Sequence, residues 1–203
     1  MEISGIVLAG GKSLRLGQDK VLEVIGDKTL FERVVSRLSF LESDIIIVKA
    51  AKQTLPQLNG YPALKIIADT YPHKGPLGGI YTGLVASDSL YNLVVACDMP
   101  FLNQALLEYM IGLAINYDLV LPRVGELVEP LHAVYSKACL APIEELLKRG
   151  ELQIRKLFNL VRVRYVAAEE IDRFDPEHLS LFNINTVADL EKTRELVGKE
   201  RSK

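Results

Sequence analysis

Short apolar runs rich in β-branched residues recur along the chain: Ile6-Val7-Leu8, Ile45-Ile46-Ile47-Val48, Leu64 to Ala68, Leu93 to Cys97 and Leu119 to Pro122. Each is too short for a helix and is bounded by Gly, Asp or Pro, which predicts buried strands. Val161 to Val166 alternates like a further strand, and Val21 to Ile25 reads as a short extended piece turned by Gly26-Asp27. Between these runs the period changes. Phe31, Val34, Val35 and Leu38 share one face of a helix predicted over Leu30 to Leu38 and capped by Thr29. Asn103 caps a helix predicted over Ala105 to Ile115, Ala138 to Arg149 is amphipathic, and Ile154 to Asn159 reads as a short helix. Glu126 to Tyr135 predicts a loop and a returning strand, and Thr186 caps a last helix over Val187 to Val197, with Asp189 as its capping-box partner. Continuous apolar strands alternating with amphipathic helices imply an α/β fold: a mostly parallel sheet covered by helices on both faces.

The 203 residues fit one domain, placed at residues 1–198 with a charged tail at 199–203. A formal net charge of −2 argues against nucleic acid as a partner, so any phosphate affinity must be local. Two cysteines, Cys97 and Cys139, are too few for a disulfide framework or a zinc site. No basic leader precedes an apolar segment, and no apolar run reaches the roughly 20 residues of a membrane span. The expectation is a cytoplasmic protein without a membrane partner.

The richest chemistry follows the first strand. Gly10 and Gly11 let the backbone approach a bound group closely, and successive N–H groups in such a turn face phosphate oxygens. Lys12, Arg15 and Lys20 add positive charge. The P-loop is excluded, because five residues separate Gly5 from Gly11 where that motif has four, and Gly10, Gly11 and Gly17 do not make the dinucleotide fingerprint. Asp69 and Asp98 also follow buried strands directly, and in such sheets ligands sit outside the carboxyl ends of the strands. This shared address argues for one site. Asp98 there is a candidate Mg²⁺ ligand, since Mg²⁺ takes one or two carboxylates plus substrate phosphates, with a turn or cap aspartate as the plain alternative. Asp69 could contact a nucleoside or assist the metal. The loop Tyr71 to Ile80, with Gly78, could wall a base and ribose or merely supply a flexible helix start. Arg15 and Lys20 would neutralise charge in the transition state. His132 reads as structural, and no Ser/His/Asp or Cys/His pair is evident.

The string Leu8-Ala9-Gly10-Gly11, Ser13, Arg15, Gly17 and Asp19-Lys20 resembles the signature loop of nucleotidyltransferases that join a nucleoside monophosphate to a phosphorylated acceptor. Within that group the chain is most similar to the molybdenum cofactor guanylyltransferases. Gly75 to Gly79, Cys97 to Phe101, and Glu129 to Tyr135 with Phe182 to Leu190 extend the resemblance over nearly the whole chain. Departures are Leu16 where the family has Met, Gly78 where it has Ala, and Val187 where it has Pro. Ala50, Ala51 and Lys52 stand where it has an asparagine after the second strand. The resemblance implies a Rossmann-like three-layer sandwich of the nucleotide-diphospho-sugar transferase kind. It implies transfer of GMP from GTP to the phosphate of molybdopterin, with Mg²⁺ as cofactor and molybdoenzyme maturation proteins as possible partners. Leu8, Ala9, Gly10, Gly11, Lys20, Asp69 and Asp98 would contact GTP, and Asn183 and Asn185 would lie toward the pterin. Gly10 favours guanine over cytosine, since the sister cytidylyltransferases carry Ala there. Rival readings are a cytidylyltransferase, a nucleotidyltransferase with another phosphorylated acceptor, and a non-catalytic nucleotide-binding regulatory domain.

Overall fold

Period-two alternation in the strands builds two hydrophobic layers. Ile3 and Val7, Ile45 and Ile47, Leu93 and Val95 enter one layer; Ile6 and Leu8, Ile46 and Val48, and Val94 enter the other. The computed structural model describes residues 2–10, 20–58 and 64–200. In chain order the elements are β1 (Ile3–Leu8), β2 (Val24–Ile25), β3 (Lys28–Thr29), α1 (Leu30–Arg37), β4 (Ile45–Lys49), β5 (Leu64–Ala68), α2 (Gly75–Ala86), β6 (Tyr91–Ala96) and α3 (Gln104–Gly112). They continue with β7 (Leu119–Val124), β8 (Leu127–Val128), β9 (His132–Ser136), α4 (Leu140–Lys148), β10 (Val163–Ala167), α5 (Ala168–Ile171) and α6 (Val187–Glu200). Single 3₁₀ turns occupy Lys20–Leu22, Lys137–Cys139 and Leu179–Leu181, and a longer 3₁₀ helix spans Ile154–Asn159.

The main sheet runs β10-β7-β9-β6-β1-β4-β5, with β8 paired to β7 and β2-β3 a separate hairpin. β1 pairs in parallel with β4 and β6, β4 with β5, and β10 with β7. Among the described strands of this sheet, only β9 and β8 run against their neighbours. Because β9 is antiparallel to both β6 and β7, the carboxyl ends of β5, β4, β1, β6, β7 and β10 share one edge.

α1, α3 and α5 cover one face through Phe31, Val34, Val35, Leu106, Met110 and Ile171. α2 and α4 cover the other through Leu77, Ile80, Leu84, Ile143 and Leu146. Each such side chain stabilises the fold by about 2 kcal/mol through burial. α1 starts as expected. Thr29 Oγ1 accepts from Glu32 N at 3.1 Å, and Glu32 Oε2 accepts from Thr29 N at 2.7 Å. These bonds hold the Glu32 carboxyl below its ordinary pKa. α2 crosses β1 at very short range. A Cβ on Gly83 would lie 2.5 Å from Ile6 Cγ2. A third cluster, Ile25, Leu30, Phe101, Ile184, Leu190 and Val197, docks α6 against the β2-β3 hairpin.

Three expectations change. Val21 to Ile25 is not one extended piece. Val21 and Ile25 are buried while Leu22 and Val24 are exposed, a spacing of four that a 3₁₀ turn before β2 produces. α3 stops at Gly112 rather than Ile115, and the chain then turns through Asn116 in the left-handed region. α6 continues beyond Val197 to Glu200. α5 arises where Glu170 Oε2 accepts from Ala167 N at 3.0 Å, a local start that its apolar pattern does not announce.

Candidate active site

The end of β1 is the hub of the shared sheet edge. Leu8 O accepts from Cys97 N at 3.1 Å, and Ala9 N donates to Val48 O at 2.9 Å. These bonds clamp Leu8 and Ala9 between the ends of β6 and β4. Gly10 is exposed beyond them, beside Ala50 N. Gln53 Nε2 donates to Ala9 O at 3.0 Å, and Lys49 Nζ donates to Gln53 O at 2.6 Å. A carboxamide therefore does reach the first loop, from Gln53 rather than from Ala50, Ala51 or Lys52. Nothing in the turn-rich stretch around it signalled that. Gly11 and Arg15 lie outside the described residues, as does the Lys20 side chain, whose backbone opens the 3₁₀ turn before β2.

Asp69 N donates to Lys49 O at 2.8 Å, which ties the end of β5 to the end of β4. Its Oδ1 accepts from Tyr71 N at 2.9 Å and from Thr82 Oγ1 at 3.0 Å. One carboxylate oxygen thus folds the Tyr71 loop back onto α2. Gly78 is buried there, and a Cβ on it would lie 2.8 Å from Tyr71 O. The lost methyl at this position makes room for the Tyr71 backbone, a packing reason absent from the expectation of a wall for a base.

Asp98 is half-buried just beyond β6. Its carbonyl accepts from Ile184 N at 3.0 Å, so the Asn183-Ile184-Asn185 segment runs beside it. Ile184 is fully buried in the α6 cluster, which anchors that segment. Asn183 Nδ2 donates to Glu129 Oε2 at 2.9 Å, while Glu129 Oε1 accepts from Leu131 N at 3.1 Å. Leu131 O in turn accepts from Ala96 N at 3.0 Å, which sets the Glu129-Pro130-Leu131 turn against the end of β6. Burial, and secondarily the Asp98 charge, push the Glu129 carboxyl above its ordinary pKa. Asn185 is exposed, and its backbone N donates to Asp189 Oδ2 at 2.9 Å within the α6 cap. The structure therefore brings Leu8, Ala9, Asp98 and Asn183 to one stretch of the sheet edge through bonds of Leu8 to Cys97 and of Asp98 to Ile184, and places Asp69 two strands beyond β1 on the same edge. Glu129 was visible within its Glu-Pro-Leu string but carried no role in the sequence reading.

Among the described residues no group of three or more His, Cys, Asp and Glu could hold a metal. Mg²⁺ needs no such cage. Asp98, with Glu129 close enough to feel its charge, matches a donor set of one or two carboxylates completed by phosphates and waters. His132 is fully buried on β9, opposite Val95 of β6. Neither ring nitrogen has a hydrogen-bond partner among the described residues, and burial lowers its pKa to about 4. It is neutral and inaccessible. Cys139 is likewise buried, its thiol pushed up to about 12.

The profile of the MobA-like NTP transferase domain matches residues 5–168. The chain belongs to this family. A probable molybdenum cofactor guanylyltransferase of Pelotomaculum thermopropionicum is 35% identical over 100% of this chain and 97% of its own length. The molybdenum cofactor guanylyltransferase of Desulfosudis oleivorans is 37% identical over 94% of this chain and 93% of its own. Among solved structures, molybdopterin-guanine dinucleotide biosynthesis protein A of Archaeoglobus fulgidus superposes with a TM-score of 0.83 at 28% identity, covering 97% of this chain and 99% of that one. The 2-C-methyl-D-erythritol 4-phosphate cytidylyltransferase of Thermus thermophilus shares the fold alone, with a TM-score of 0.70 at 17% identity over 97% of this chain and 98% of that one. The MobA-like fold is thus the mixed, mostly parallel sheet of the nucleotide-diphospho-sugar transferases, as the resemblance implied. No helix among the described residues is long and apolar enough to cross a membrane.

Proposed function

We propose that this chain transfers GMP from GTP to the phosphate of the molybdopterin cofactor, giving molybdopterin guanine dinucleotide and pyrophosphate. One observation carries the reading. The Asp98 strand end is bonded on one side to the end of β1, through Cys97 N and Leu8 O, and on the other to the Asn183 segment, through Ile184 N. A carboxylate so placed stands between a nucleotide half and an acceptor half.

The chemistry needs no protein nucleophile. An acceptor phosphate oxygen, already anionic, attacks the α-phosphorus of GTP, and the bond to the β-phosphate bridging oxygen breaks as pyrophosphate leaves. The chain's work is in-line positioning and charge neutralisation. Leu8, Ala9, Gly10 and Gly11 offer backbone to the triphosphate, and Arg15 and Lys20 neutralise the departing pyrophosphate. Asp69 orients the Tyr71 loop, and Gly78 lets that loop close tightly. Asp98 would hold Mg²⁺, with Glu129 nearby. Bound there, Mg²⁺ supplies Lewis-acid stabilisation of charge on the phosphoryl oxygens. Asn183 and Asn185 face the acceptor. Gly10 in place of the alanine of cytidylyltransferases supports guanine over cytosine. The test is formation of the dinucleotide and pyrophosphate from molybdopterin with GTP or CTP, with and without Mg²⁺. Product with GTP and Mg²⁺ is expected; product with CTP instead, or with neither, would overturn the reading.

A further inference from the structure

In a parallel pair, a residue that donates to one partner residue accepts from the partner two places on. β1 and β4 keep this pattern as far as Ala9, whose N donates to Val48 O at 2.9 Å. The next rung of the ladder would run from Ala50 N to Ala9 O. The Gln53 carboxamide stands in that rung instead. Its Nε2 donates to Ala9 O at 3.0 Å, and its Oε1 accepts from Ala50 N at 3.3 Å. A β-turn brings the side chain back over the strand end, because Gln53 N donates to Ala50 O at 3.0 Å. Lys49 Nζ clasps the turn by donating to Gln53 O at 2.6 Å. The two ends of the carboxamide are thereby distinguished, its donor facing a carbonyl and its acceptor facing an N–H.

We infer that Gln53 is a positioning residue that aims the Gly10 N–H at the phosphates of the nucleotide, an inference that rests on the transfer reading above. Ala9 C=O and Gly10 N–H belong to one peptide group, and a trans peptide points them in opposite directions. No cis peptide bond occurs among the described residues. Holding Ala9 O toward the β4 turn therefore directs the Gly10 N–H away from it. N–H groups fixed in this way are what a polyphosphate needs. Freed from Gln53, the same plane can rotate and present its carbonyl, which repels a phosphate.

The surroundings fit this role. A Cβ on Gly10 would lie 3.3 Å from Ala50 N and 3.6 Å from Lys49 C, so the missing side chain lets the loop and the inserted amide share the space. Lys49 O accepts from Asp69 N at 2.8 Å, so the strand end that carries the Gln53 turn also holds Asp69 in place. The chemistry of the side chain is specific as well. A carboxylate of the same length would set an oxygen against Ala9 O and lose the donor. A methionine would keep the length and lose both hydrogen bonds. Gln53 is half-buried at the sheet edge, outside the two main core layers, so replacing it leaves those layers intact.

The full-length chain and its Gln53→Met and Gln53→Glu variants would be titrated with GTP and Mg²⁺ by calorimetry. The backbone amide signal of Gly10 would be followed in each by heteronuclear NMR without nucleotide, and thermal unfolding verifies that the fold is kept. Gln53→Met is expected to weaken GTP binding by about tenfold, and Gln53→Glu by more, because it adds repulsion to the lost donor. The Gly10 signal is expected to move in both variants while those of Ile6 and Val7 stay in place. GTP affinity within about twofold of the unsubstituted chain in both variants would overturn the inference. So would weakened binding with an unmoved Gly10 signal, since Gln53 would then touch the nucleotide itself. Failure of the unsubstituted chain to form dinucleotide would overturn the transfer reading alone, because the Gly10 signal and the GTP titration still decide the role of Gln53.

Discussion

The two halves of the sheet edge are built from different materials. At β1, β4, β5 and α2 the candidate nucleotide side is made of backbone brought close. Leu8 and Ala9 are clamped by main-chain bonds, Gly83 lets α2 lie on Ile6, and Gly78 lets the Tyr71 loop lie on α2. Beside β9 and the Asn183 segment the candidate acceptor side is made of polar side chains, Glu129 and Asn183. The difference teaches how each half is expected to fail. On the proposed function a triphosphate would be met by backbone held in place, so its half should fail when the backbone is forced apart. The acceptor would be met by side-chain contacts, so its half should fail one contact at a time.

Asp98 sits where the halves meet, and its loss should break both. Asp98→Asn is expected to lower kcat by roughly 10³-fold, about 4 kcal/mol, because the proposed Mg²⁺ ligand loses its charge. Its melting temperature should stay close to that of the parent chain. Turnover within a few-fold of the parent in steady-state assays would remove Asp98 from the mechanism.

The next effect sharpens the contrast through acid sensitivity. His132 is buried in β9, on the acceptor side of β6, with a folded-state pKa of about 4 against an ordinary 6.5. Between those values the unfolded chain binds the proton and the folded chain does not. Stability is therefore full above about pH 6.5 and falls as pH drops toward 4, by roughly 3 kcal/mol in total. His132→Leu should flatten the melting-temperature profile over that window. Glu170 adds a separate limb. Its carboxyl is held at about 2, chiefly by Arg164, so the stability it contributes is lost as pH falls from about 4.5 toward 2. An unchanged profile in His132→Leu would contradict the buried neutral ring.

On the nucleotide side, Gly83→Ala puts a methyl 2.5 Å from Ile6 Cγ2, in a fully buried and β-branched neighbour that cannot swing away. Overpacking of this kind costs about 2 kcal/mol and should lower the melting temperature by about 6 °C. The smallest effect belongs to the acceptor side. Glu129→Gln turns the acceptor facing Asn183 Nδ2 into either a weaker acceptor or a second donor. The KM for molybdopterin is expected to rise by about tenfold with GTP affinity unchanged. A matched loss of GTP affinity would show that the two halves are not separable as described.

Much of this was legible beforehand. The runs at β1, β4, β5 and β6 announced themselves because a strand buried on both faces must be apolar at nearly every position. Thr29 and Thr186 marked their helices because a cap needs a side-chain acceptor at one fixed place, and both caps form. Asp98 stood out because a carboxylate directly after such a run must lie at the strand's mouth. Glu129 and Gln53 did not, since each acts through one contact with a residue distant in sequence, 54 positions away for Asn183 and 44 for Ala9. The pair Arg123 and Tyr165 was equally silent, because parallel pairing of β7 with β10 alone brings it together.

The sequence by itself determined the alternation of strands and helices, the glycine-rich turn at the first strand and the carboxylates at strand ends. Those are properties of local patterning and short-range sterics, which a chain carries wherever it goes. The tertiary structure alone decided that β9 would enter antiparallel and turn β7 and β10 toward the same edge. It also decided that α6 would pin Ile184 beside Asp98, and that Gly78 would be spent on Tyr71. These depend on which distant surfaces bury each other best, a comparison that only the folded chain makes.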